Sequence, residues 1–221
     1  LMVFYSLVGY VISPIGSLIS SNQTIQDALI AADRLFQIMD LEREQNEEQK
    51  IELTEEMVGD ISFENVCFRY GSRKDIFSAL NLTIEKGKMT AIVGESGSGK
   101  TTLMPLLQHI YPIQGGHIRI GKHDIAEIDN RSLRQRIGTV PQHIELFSGT
   151  IAENIAVGEL HPKMIRIKAL MEMLGLEEFI ERQPKGYQTQ IGEHGVNLSG
   201  GERQRIAITR ALYKNPEIII L

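Results

Sequence analysis

Gly94-Glu95-Ser96-Gly97-Ser98-Gly99-Lys100-Thr101 satisfies G-x-x-x-x-G-K-[ST] at every fixed position. The motif works only where a strand delivers the chain into a glycine-rich turn and a helix carries it away. Backbone N–H groups and the positive end of the helix dipole then converge on a phosphate. The short apolar run Met89-Thr90-Ala91-Ile92-Val93 lies immediately ahead and reads as that strand. Gly94, Gly97 and Gly99 let the backbone curl, with Glu95, Ser96 and Ser98 between them and Thr102 just inside the helix. Lys100 can reach the β- and γ-phosphates of a nucleotide, and the hydroxyl of Thr101 can ligate Mg²⁺.

About a hundred residues later comes Leu198-Ser199-Gly200-Gly201-Glu202. Ser199 and the N–H groups of Gly200 and Gly201 can donate to a phosphate at a helix start. Arg203, Gln204 and Arg205 begin that helix, and Ala207, Ile208, Ala211 and Leu212 give it an apolar face. The two motifs at this distance resemble those of the ATP-binding-cassette (ABC) family. The resemblance implies an α/β P-loop NTPase: a RecA-like core with antiparallel β and helical subdomains, binding ATP and Mg²⁺. It further implies that Ser199, Gly200, Gly201 and Glu202 cap the ATP of a second nucleotide-binding domain, so that the working unit is a dimer, expected to be a homodimer.

Two more residues take their roles from the resemblance. Tyr70, just before Gly71 at the end of a predicted strand, matches the aromatic that stacks on adenine. Gln142, after Ile137-Gly138-Thr139-Val140-Pro141, resembles the glutamine that contacts Mg²⁺ and the attacking water. Phe147-Ser148-Gly149-Thr150-Ile151-Ala152-Glu153-Asn154-Ile155 resembles the segment facing the coupling helices of a membrane domain. Ile191-Gly192-Glu193-His194-Gly195 resembles a loop that senses the partner subunit; His194 departs from the usual residue and reads as exposed. Glu217-Ile218-Ile219-Ile220-Leu221 resembles the strand ending in the Walker B aspartate. That aspartate, the catalytic Glu and the switch His would follow Leu221, so the 221-residue chain is expected to bind ATP and to hydrolyse little.

From residue 61 short apolar runs alternate with Gly and charged turns. Residues 61–64 and 66–70 read as strands with an irregularity at Asn65, Leu82-Thr83-Ile84 as another, and residues 163–182 as helices broken at Gly175. Pro105 falls inside the helix after the phosphate loop, where it removes a hydrogen bond and costs roughly 3 kcal/mol.

The net charge of −5 is local. Residues 40–60 hold nine acids against Arg43 and Lys50 and read as a solvated acidic linker. The remainder has no basic field of the kind nucleic acid requires. A single cysteine, Cys67, forms no internal disulfide and reads as a small buried hydrophobe in a strand.

Residues 1–26 carry no charge, and residues 1–19 are mostly apolar, enough to span a bilayer or finish a span. Ala28, Ala31, Ala32, Leu35 and Met39 then recur at helical spacing. Residues 1–39 are therefore expected to be the end of a last transmembrane helix and its cytosolic extension. Residues 40–60 then form the linker, and residues 61–221 an incomplete nucleotide-binding domain. Leu1 in place of Met, and an end inside an apolar run, read as a piece of a longer multi-pass protein of the plasma membrane, its nucleotide-binding domain cytoplasmic. The join between Pro14-Ile15-Gly16 and Ala31-Ala32-Asp33-Arg34-Leu35 resembles fused ABC exporters, most of all the bacterial peptidase-containing exporters of bacteriocins. That implies a peptide cargo, with lipid or drug export as the alternative. A soluble ABC-type ATPase of DNA maintenance fits poorly, because Gln142 and Ser199 are only 57 residues apart. A P-loop kinase or GTPase leaves the second motif unexplained.

Overall fold

The computed structural model describes residues 2–41, 44, 50–192 and 198–221; within 3–19, side-chain surroundings are described for residues 8, 10 and 16. The chain forms two compact units, residues 1–47 and 48–221.

The first unit is a 38-residue helix, α1 (Met2–Met39). Its backbone continues through Pro14 and Gly16 without a break. At 1.5 Å per residue it is about 57 Å long, nearly twice a bilayer's hydrocarbon core. Among the described residues no helix is long and apolar enough to cross a membrane. The span expected at residues 1–19 therefore rests on the sequence. Further along, Leu29, Leu35, Ile38 and Met39 are all exposed on the rod.

The second unit starts earlier than the acidic run suggests. Asp129 N donates to Ile51 O and Ile51 N to Glu127 O, both at 2.9 Å, and Leu53 N donates to the Ser132 hydroxyl at 3.0 Å. Leu53 and Val58 belong to the core. Residues 50–58 are thus part of the folded domain, correcting the boundary at 60. Ile51, Leu53, Met57 and Val58 alternate with charges that point to water, so the local net charge hides a strap of apolar anchors.

Four antiparallel strands follow: β1 (Ile61–Phe68), β2 (Phe77–Ile84), β3 (Gly115–Ile120) and β4 (His123–Asp124), in the order β2-β1-β3-β4. Ile61, Phe63, Val66 and Phe68 point from β1 into the core. The alternation slips at Asn65, whose φ is +51° and where pairing shifts register on both sides. Asn81 fastens this bulge, accepting from Asn65 N at 3.0 Å. Gly116, with φ +83°, closes it from β3: a Cβ there would lie 2.4 Å from Glu64 O and Asn65 O, so no other residue fits. Cys67 is only half-buried, its thiol 3.7 Å from Asn65 O.

Helix α2 (Lys100–Leu107) and helix α3 (Asn130–Gln135) supply Leu106, Leu107 and Leu133 to the same core. β5 (Ile137–Thr139) pairs in parallel with β8 (Ile218–Ile220), and β6 (Gly149–Thr150) pairs antiparallel with β7 (Gln190–Ile191). A second core joins α4 (Ile151–Ile155), α5 (Met164–Met173), α6 (Glu177–Glu181) and α7 (Gly200–Tyr213). Gly175, at φ +65°, separates α5 from α6 as its spacing predicts. The mixed α/β fold matches the expected class.

One expected strand is absent among the described residues. Residues 89–93 form no strand and no helix, with Met89 fully exposed and Val93 88% exposed. An apolar strand needs a hydrogen-bonded neighbour, and the parallel pair β5–β8 does not reach this segment.

Candidate nucleotide-binding site

The phosphate loop ends in the left-handed region twice, at Gly97 (φ +83°) and Gly99 (φ +91°). A Cβ on Gly99 would sit 2.7 Å from Ile76 Cγ2 and Phe77 Cε1, so the loop packs directly against the end of the β1–β2 hairpin. Gly94 has no such φ; a Cβ there would meet the Ser98 side chain, its hydroxyl at 3.1 Å and its Cβ at 3.8 Å. The Lys100 ammonium turns back over the loop and donates to Gly94 O at 2.8 Å and Glu95 O at 2.6 Å, with the Ser98 hydroxyl at 3.4 Å. Glu95, Ser96, Gly97, Ser98 and Thr101 are exposed, whereas Thr102 is buried and bonds Gly99 O through its amide. The loop thus presents an ammonium, a free helix start and a hydroxyl on one open surface. That donor set suits a phosphate chain with Mg²⁺.

Helix α2 runs through Pro105, which has no N–H for Thr101 O, and ends two residues later. The end is a Schellman turn: Ile110 N donates to Pro105 O at 2.9 Å and His109 N to Leu106 O at 3.0 Å. Glycine usually occupies the left-handed position of this turn; here it is His109, with φ +51°. Its ring Nδ1 pairs with Asn130 Oδ1 at 2.9 Å, and its carbonyl accepts from Arg134 at 3.2 Å. Both partners lie on α3.

Tyr70 follows β1 on the hairpin end that also carries Phe77. Its ring meets Phe68 at 4.8 Å and Tyr111 at 5.0 Å, both nearly perpendicular. Gln142 is exposed just beyond β5, and among the described residues no hydrogen bond ties it to the phosphate loop. Before β5, Arg136 donates to Leu53 O at 3.2 Å and pairs with Glu217 at 2.8 Å.

The second motif opens α7. Ser199 is its N-cap in a complete capping box: Glu202 N donates to the Ser199 hydroxyl at 3.3 Å, and Ser199 N donates to Glu202 Oε2 at 2.8 Å. The Ser199 hydroxyl also donates to that oxygen, at 2.8 Å. These bonds, the backbone one first, hold the Glu202 carboxyl below its ordinary pKa. Glu202, expected as a nucleotide ligand, is engaged in this cap, and Gly200 and Gly201 lie exposed beside it.

The ABC transporter family matches residues 77–221. The chain belongs to the ABC transporter family. It is 40% identical over 210 residues to the ATP-dependent lipid A-core flippase of Legionella pneumophila (strain Paris), covering 95% of this chain and 35% of that protein. It is 42% identical over 221 residues to the leukotoxin translocation ATP-binding protein LktB of Mannheimia glucosida, covering all of this chain and 31% of that protein. A solved structure of a bacterial Atm1-family ABC exporter with ATP bound superposes with a TM-score of 0.81 at 37% identity, over 89% of this chain and 34% of that one. The chain spans about a third of the length of these relatives.

Sequence reasoning misses two residues that organise this ABC domain. Asn154 is buried; its side chain accepts from Phe147 N and donates to Phe147 O, both at 2.8 Å, and donates to Thr150 O at 3.1 Å. Arg210 of α7 donates to Asn154 O at 2.8 Å and Glu145 O at 2.9 Å, and its guanidinium lies 5.5 Å from the Phe147 ring centroid. Burial pulls the Arg210 pKa down from its usual value. The Thr150-x-x-Glu153 capping box at α4 was a readable sign that this segment is ordered. Glu193, His194 and Gly195, expected to sense the partner, lie outside the described residues.

Proposed function

We propose that this chain is the nucleotide-binding part of an ABC exporter, coupling ATP binding and hydrolysis to export across a bacterial plasma membrane. The observation that carries the reading is the start of α2, where Gly97, Gly99 and Lys100 form an exposed glycine-rich turn within a family-matched domain. Gly94 through Thr102 would hold the ATP phosphates, Tyr70 would stack on adenine, and Thr101 and Gln142 would meet Mg²⁺. When bound, the metal neutralises charge on the transferring phosphoryl group. Lys100 then exchanges its bonds to Gly94 O and Glu95 O for phosphate oxygens. Ser199, Gly200 and Gly201 would face the ATP of a second domain, making a dimer with two nucleotides.

Residues 1–39 would finish a transmembrane helix of a multi-pass protein, and residues 147–155 would meet the membrane domain's coupling helices, with the ABC domain cytoplasmic. Lipid or drug export fits the relatives better than bacteriocin export. Lipid A-core flippases recur among them, and the toxin-translocating relative keeps a peptide cargo as the second reading. Mg-ATP binding by calorimetry tests the core of the proposal: micromolar to millimolar binding supports it, and no binding overturns it. Stimulation of ATPase in the reconstituted transporter by lipid, and not by peptide, decides the cargo.

A further inference from the structure

Tyr111 has no role in any of the motifs, yet it sits in the nucleotide site's only described aromatic cluster. Its ring centroid is 5.0 Å from that of Tyr70 at an interplanar angle of 87°, an edge-to-face pair. Phe68 meets Tyr70 at 4.8 Å and 83°, and is 6.1 Å from Tyr111. Phe68 is buried in the domain core, Tyr70 is half-buried, and Tyr111 is 42% exposed. The three rings therefore form a stair from core to surface, with Tyr70 held between the other two.

The backbone explains how Tyr111 reaches that place. The Schellman turn at His109 fixes the direction in which the chain leaves α2, and α3 holds that turn through Asn130 and Arg134. The phosphate loop is at the other end of the same eight-residue helix. One short rigid element thus sets both the phosphate turn and the ring that abuts Tyr70. Tyr70 itself lies two residues beyond the end of β1, in a turn where its carbonyl accepts from Arg73 N at 3.1 Å.

We propose that Tyr111 is a positioning residue for base recognition: its ring fixes the plane of Tyr70, and so the stacking platform, relative to the phosphate loop. This rests on the reading of Tyr70 as the adenine platform. Removing Tyr111 leaves the phosphate turn intact and lets the platform rotate, so the loss falls on the base and not on the phosphates.

The test compares two probes on the 221-residue protein by calorimetry, Mg-ATP and Mg-tripolyphosphate. Tyr111→Ala is expected to raise the Kd for Mg-ATP about threefold to tenfold and to leave that for tripolyphosphate within about twofold. Tyr111→Phe keeps the ring and is expected to restore ATP affinity. A double-mutant cycle with Tyr70→Ala is expected to be non-additive, because Tyr111 acts through Tyr70. Equal losses for both probes, or unchanged ATP affinity in Tyr111→Ala while Tyr70→Ala weakens it, would overturn the proposal. If Tyr70→Ala leaves ATP affinity unchanged, the adenine-platform reading fails first, and this inference with it.

Discussion

Helices α2 and α7 both begin at glycine-rich turns, and both starts are proposed here as phosphate sites, but they are built on opposite terms. The start of α2 has no side-chain cap: its N-cap is Gly99 in the left-handed region, and the nearby charge is the Lys100 ammonium resting on loop carbonyls. The start of α7 already holds an anion, since Glu202 takes the amide and hydroxyl of Ser199. A phosphate arriving at α2 replaces neutral carbonyl acceptors on a cation. One arriving at α7 competes with a carboxylate for the Ser199 hydroxyl. The first start is uncapped by any side chain; the second is closed by its own carboxylate.

This contrast can be broken at either end. The largest effect is expected from Lys100→Ala, which should weaken Mg-ATP about a hundredfold by losing a charge-assisted contact; a change within twofold in calorimetry would show that the α2 start does not carry binding. Next comes Pro105→Ala, which restores the missing bond to Thr101 O and should stabilise the domain by about 1–3 kcal/mol. Thermal unfolding reads it as a rise of several degrees, and an unchanged midpoint means that the short helix carries no strain. Ser199→Ala, by contrast, should cost about 1 kcal/mol through loss of the cap, with Mg-ATP affinity of the isolated chain untouched. A large fall in that affinity would mean that α7 binds the chain's own nucleotide.

The smallest effect concerns pH. Because Ser199 lowers the folded-state pKa of Glu202, its stabilisation is full above the ordinary glutamate value of 4.5 and is lost as pH falls through the lower folded value. Glu202→Gln keeps the cap geometry and should flatten that acid limb in a stability–pH series; an unchanged limb would place the titration elsewhere.

Much of this was legible because it is local. The phosphate loop, the break at Gly175 and the irregularity at Asn65 each announce themselves through one residue's backbone freedom. The capping box at Ser199 is equally readable, as S-x-x-E. What stayed hidden depends on distant neighbours. Residues 89–93 have the composition of a strand but no partner edge among the described residues. The His109 turn lacks the usual glycine and is held by α3, more than twenty residues on in sequence. Residues 50–58 look solvated because their acids dominate, although Leu53 is buried in the core.

That strap also decides where the domain can be cut. Arg136 spans the Leu53 carbonyl on one side and Glu217 on the other, immediately before β8, while the second carboxylate oxygen of Glu217 is buried without a partner among the described residues. Trimming the chain to residue 61 would strip the guanidinium of one acceptor and leave the Ser132 hydroxyl without its amide. Within the domain the chain is first fixed at Ile51 and Leu53, and Arg136 links that strap to Glu217 at the start of the strand leading toward Leu221. The segment that looked like slack is the domain's tether point.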